Sequence, residues 1–112
     1  MVKFKIIFQS GYDVKNINND NIDINLVLPN GRVYFATLFT LQNIQMLMQS
    51  SDLSYFWSTD MIIVKNLEKE TIKKAVTQII AEFHLEVSFS QIGTIKDVYP
   101  PKKTYGDLFS DI

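Results

Sequence analysis

The sequence predicts an α+β fold: a single two-layer domain in which a mixed five-stranded sheet carries two helices on one face. Three observations point there. Apolar and polar residues alternate along two early segments, the second of which is joined to a third apolar segment by Asn30-Gly31. Two later segments carry helical periodicity, and each is followed by a strand-length apolar or alternating run. The chain has 112 residues, 46% of them hydrophobic, which suits one ordinary core and is too little for two. The order of elements is β-β-β-α-β-α-β, with the domain expected over residues 1–93. Residues 94–112 form a proline-containing C-terminal tail, expected to dock on the domain or to be partly disordered.

The first strand places Val2, Phe4, Ile6 and Phe8 on one side and Lys3, Lys5, Ile7 and Gln9 on the other. Residues 10–21, with Gly11 and four asparagines, read as a turn-rich connection. Ile22, Ile24, Leu26 and Leu28 then alternate along the second strand until Pro29-Asn30-Gly31-Arg32 reverses the chain. Asn-Gly suits a two-residue hairpin loop, which pairs Leu28 with Val33, Leu26 with Phe35 and Ile24 with Thr37. On that register both helices cover Leu26, Leu28, Val33 and Phe35. The opposite, open face carries Val27 beside Tyr34, Asn25 beside Ala36 and Asp23 beside Leu38.

Thr40 is placed to cap a first helix whose apolar stripe is Leu41, Ile44, Leu47 and Met48. Met61-Ile62-Ile63-Val64 is uninterrupted, the habit of a central strand buried on both faces in parallel pairing. A second helix follows Asn66, a candidate cap, with Glu68 and Glu70 in its first turn. Its buried face is read as Ile72, Ala75, Val76, Ile79, Ile80 and Phe83. Leu85, Val87 and Phe89 alternate as a last strand. Beyond Gly93 periodicity is lost, and Tyr99-Pro100-Pro101 is extended.

Composition removes several chemistries. Without cysteine there is no disulfide, iron–sulfur cluster or thiol nucleophile, and one histidine cannot build an imidazole cage. The formal charge of −1 argues against nucleic acid and anionic membrane as partners. The glycines stand apart, so no phosphate-binding loop can be written, and no Gly-x-Ser-x-Gly elbow occurs. No cofactor, metal ion or catalytic group is therefore assigned. The N-terminal apolar stretch is too short for a signal peptide and no run suffices for a membrane helix, so a cytoplasmic protein is expected. The Ile, Lys and Asn bias is typical of AT-rich genomes, and a bacterial source is expected.

Four features remain. His84, at the end of the second helix, is read as a partner for helix carbonyls and the dipole. Asn19, Asn21 and Asp23 have the alternate spacing of a calcium loop, but Ile24 stands where glycine is needed and Asn30 where glutamate is. Lys65, Lys69, Lys73 and Lys74, interleaved with glutamates, form a solvated face. Asp107-Leu108-Phe109 resembles part of the peptides that bind bacterial sliding clamps, but lacks the glutamine with which those begin; a tail that docks on its own domain or frays is the preferred reading.

Tyr55-Phe56-Trp57 is the most informative cluster, because three consecutive aromatics cannot all face one way. Tyr55 and Trp57 are candidate anchors for a protein partner. Val27 and Tyr34 are further partner-binding candidates, as members of an open sheet face through which a two-fold homodimer could form; the competing cover for that face is the C-terminal tail, with Tyr99, Tyr105, Leu108 and Phe109. The reading is a small non-catalytic protein-interaction module, such as an inhibitor, toxin neutraliser or regulatory subunit. The alternative is a small-molecule sensor or enzyme with a site between the sheet and the first helix, using Asp60, His84 and Tyr55.

Overall fold

Pro29 decides how the central hairpin closes. In the computed structural model, which describes residues 3–109, strands β2 (Asn21–Val27) and β3 (Arg32–Phe39) are antiparallel. The Leu28 carbonyl accepts from the Gly31 amide at 2.9 Å, and the Leu28 amide donates to the Arg32 carbonyl at 3.0 Å. The loop thus holds three residues. Pro29 occupies the turn position whose φ its ring supplies, and Gly31 takes φ +89°. The expected two-residue loop would set Pro29 opposite Arg32, where a donor it lacks is needed. The true register therefore differs by one residue, pairing Val27 with Val33, Leu26 with Tyr34 and Ile24 with Ala36. Such a shift turns every β3 side chain to the other face.

Around this hairpin the mixed five-stranded sheet assembles as expected. β1 (Lys5–Phe8) pairs antiparallel with β2, setting Ile6 opposite Leu26. The far edge of β3 is shared by two short strands. β4 (Met61–Ile63) runs parallel to residues Thr37–Phe39, and β5 (Ser90–Thr94) runs antiparallel to Arg32–Phe35. The Ser90 hydroxyl donates to the Asp60 carboxylate at 2.6 Å where the two meet. β4 is parallel as expected but lies at an edge of the sheet, with Ile63 47% exposed, rather than at its centre.

The main core lies on one face. Ile24, Leu26 and Leu28 of the β2 side meet Tyr34, Ala36 and Leu38 of β3 beneath Ile72 and Val76. Those last two belong to helix α2 (Lys69–Ala81), the second of five helices among the described residues. Asn66 does not cap α2; its side chain accepts from the Glu68 amide at 3.0 Å, and Glu68 is the capping residue without a side-chain cap bond. Phe83, expected on the buried face, is 92% exposed with φ +62°. It occupies the left-handed position after the helix, with the His84 amide bonded to the Ile79 carbonyl at 2.9 Å. That reversal also displaces the expected last strand. Residues Leu85–Ser88 form a short helix, α3, because Leu85 and Phe89 are two strand repeats apart and also one helical turn apart. Phe89 is buried and Val87 is outside.

The opposite sheet face is covered by the chain itself. Ile95, from helix α4 (Ile95–Val98), packs on Val27 and Val33, joined by Tyr99 and by Leu108 and Phe109 of helix α5 (Tyr105–Phe109). Asn25, buried on this face, donates to the Tyr99 hydroxyl at 2.7 Å and accepts from Gln9 at 2.8 Å. Helices therefore lie on both faces of the sheet, and the face expected to be open is not.

Candidate functional site

Helix α1 (Leu41–Ser50) is seated by polar side chains. Thr40 caps it, accepting from the Asn43 amide at 3.2 Å. Asn43 is the buried residue of the helix: its carbonyl oxygen accepts from Asn21 at 2.9 Å and its amide donates to Asn19 at 3.3 Å. The stripe expected to be buried is only partly so. Ile44, Leu47 and Met48 are half-buried and Leu41 is 69% exposed. The seat and the stripe meet only at Leu47, because Asn43 is about 40° around the axis from Leu47 but about 100° from Ile44. One flank of α1 consequently forms a groove of about 470 Å³, walled by Leu41, Ile44, Met48 and Leu53 and edged by Gln45, Gln49 and Asp52.

The aromatic triplet follows Leu53 in the chain. Phe56 turns inward, its ring 5.2 Å from that of Phe39 in an edge-on arrangement. With Phe56 held, alternation sends its neighbours outward. Tyr55 is 62% and Trp57 71% exposed. Of the nine large apolar side chains exposed among the described residues, five lie between Leu41 and Trp57. This segment is also nearly devoid of charge. Between Arg32 and Lys65 the only ionisable acids or bases are Asp52, Asp60 and the phenols of Tyr34 and Tyr55. That gap was legible in the sequence and, together with Met46 and Met48, marks α1 as part of the surface as plainly as the aromatics do. Depletion of charge with enrichment of aromatics and methionine is the composition of interface centres.

The other candidates fall elsewhere. Val27 is fully buried beneath α4, and Tyr34 is buried on the α2 side, so the pair expected side by side lies on opposite faces and neither can anchor a partner. The Tyr34 hydroxyl donates to Glu86 at 2.7 Å. Burial, and then that bond, push the phenol above its usual pKa. His84 is exposed at the start of α3, and its side chain caps nothing there. Asp60 is engaged by Ser90, and the groove beside α1 and the two beside α2 are lined by none of Asp60, His84 and Tyr55.

The calcium-like positions are likewise engaged: Asn19 and Asn21 hold Asn43, and Asp23 accepts from the Thr37 hydroxyl at 2.7 Å. Among the described residues no group of three or more His, Asp or Glu side chains is placed to hold a metal ion. No buried side-chain polar atom among them lacks a partner, and no helix is long and apolar enough to cross a membrane. Comparison with protein-family models, curated proteins and solved structures finds no match to this chain.

Proposed function

We propose that the protein is a non-catalytic protein-interaction module and that α1 with residues 51–57 forms its partner-binding surface. The observation that carries this reading is the coincidence, on one segment, of exposed Leu41, Tyr55 and Trp57 with the near absence of charge. Trp and Tyr supply large contact area for little loss of side-chain freedom, which is why they recur at binding hot spots. The seating of α1 adds support. A ten-residue helix is marginal alone, and this one is docked through an asparagine network and a half-buried stripe, so a partner covering Leu41 and Met48 would supply the apolar burial it lacks.

The test is capture from the cells of origin with immobilised full-length protein, followed by titration of the purified partner by calorimetry. A stoichiometric protein that binds the wild type, and binds Trp57→Ala or Leu41→Gln at least about tenfold more weakly, is expected. Both variants should melt close to the wild type. Equal binding by both variants overturns the assignment of the surface. A metabolite released on denaturation, with no protein bound, overturns the reading in favour of a small-molecule sensor or enzyme.

A further inference from the structure

We propose that the outer edge of β4 pairs with β4 of a second copy of this chain, antiparallel about a two-fold axis, so that two sheets become one. Met61-Ile62-Ile63-Val64 has the composition of a strand with neighbours on both sides, yet β4 has β3 on one side and, among the described residues, no strand on the other. The remaining edges are guarded. β1 is flanked and punctuated by exposed Lys3 and Lys5, and β5 is interrupted by a register break and by Gly93 at φ +143°. β4 carries no charge, no proline and no bulge.

The backbone specifies what fits there. The Asp60 carbonyl accepts from the Thr37 amide at 3.0 Å, and the Val64 amide donates to the Phe39 carbonyl at 2.9 Å. Backbone polar groups alternate along a strand, so Met61 and Ile63 direct theirs away from β3. A two-fold register centred on Ile62 sets Met61 opposite Ile63 of the second copy. Directly opposed residues of that kind exchange both bonds, which satisfies all the outward groups at once. Ile62 and Val64 belong to the core under α2, so Met61 and Ile63 share the other face, where the pairing covers the half-exposed Ile63 with methionine.

Charge selects a second copy over a charged ligand. The groove of about 660 Å³ between β4 and α2 is edged by Lys65 and Lys74 and by Glu68 and Glu70. Equal numbers of both signs offer no net field to a charged ligand, whereas the same mixed surface turned by a two-fold axis can oppose unlike charges. A stable interface covers on the order of 1,200 Å² or more, beyond a three-residue strand alone. The contact therefore extends over the walls of the groove beside β4, which the same axis turns toward each other.

Sedimentation equilibrium of the full chain over a concentration series, combined with amide hydrogen exchange, tests the pairing. A dimer is expected in which the Met61 and Ile63 amides are protected, and lose that protection on dilution. Ile63→Pro deletes an outward amide while leaving the ladder to β3, and Ile63→Lys installs the guard that β4 lacks. Each should raise the dimer dissociation constant by about tenfold or more with the circular dichroism unchanged. Ile63→Lys decides the matter if the proline variant fails to fold. A wild type that is monomeric throughout overturns the pairing and leaves the partner surface to its own test. So does a dimer with unprotected Met61 and Ile63 amides, or one that Ile63→Lys leaves intact.

Discussion

Tyr34 and Glu86, separated by 52 positions, are joined by a 2.7 Å hydrogen bond from the phenol to the carboxylate, which ties α3 to the centre of β3. The Tyr34 side chain is buried, so its hydroxyl depends on this partner. Glu86→Ala should lower stability by about 1–3 kcal/mol, the cost of a buried group left unsatisfied, and Glu86→Gln by less. Urea denaturation of the two variants gives the comparison.

The same contact sets an alkaline limit. Burial and the bond to Glu86 raise the folded phenol's pKa above its unfolded value of about 10. A raised acid contributes fully below the unfolded pKa and loses its contribution as pH rises through the folded one. Stability should fall as pH climbs above about 10, and less steeply in Tyr34→Phe. Thermal melts at a series of alkaline pH values measure both slopes.

At the acid end the C-terminal segment should loosen. Bonds from the Thr94 amide and hydroxyl hold Asp97 below the usual carboxylate range, and Thr104 with the Lys103 amide does the same for Asp107. Depressed carboxylates stabilise above the unfolded pKa of about 4, and that support is lost as pH falls through the folded values. Amide protection of residues 94–109, taken relative to intrinsic exchange at each pH, should fall on acidification before that of β2 and β3. A uniform loss of protection across the sheet would contradict this.

Phe83→Gly should stabilise the protein. Phe83 holds φ +62° with its side chain 92% exposed, so it bears the steric cost of a left-handed residue without packing in return. Glycine removes a cost of about 1–2 kcal/mol and adds about 0.5–1 kcal/mol of unfolded-state freedom. A rise of about 0.5–1 kcal/mol by chemical denaturation is expected.

Within the aromatic triplet the stability effects should separate sharply. Phe56→Ala removes the ring packed on Phe39 and should cost about 2–3 kcal/mol, whereas Trp57→Ala should stay within about 0.5 kcal/mol. Calorimetric melts of the two variants distinguish the inward from the outward aromatics.

Much of the site was legible before the fold. Three consecutive aromatics require at least one to leave the core, and Tyr55 and Trp57 are the ones that do. Leu41 was misplaced because helical periodicity marks an apolar face without saying what covers it. The helix is anchored through Asn43, a residue that periodicity counts as polar and outside. Val27 and Tyr34 were misplaced for a different reason: a one-residue change in register exchanges the two faces of β3.

By itself the sequence determined the strands β1 to β3, the helices α1 and α2, the position of the hairpin and the mixed character of the sheet. These depend on spacing, on a cap such as Thr40 and on a turn such as Pro29-Asn30-Gly31, all of which act within a few residues. The tertiary structure decided the placement of β4 at an edge, the helical turn at Leu85–Ser88 and the covering of the second face by residues 95–109. Each of those depends on contacts between distant residues, as when Asn25 reaches Tyr99 or Tyr34 reaches Glu86. Local periodicity reports that a side chain should be covered, and only the assembled chain supplies what covers it.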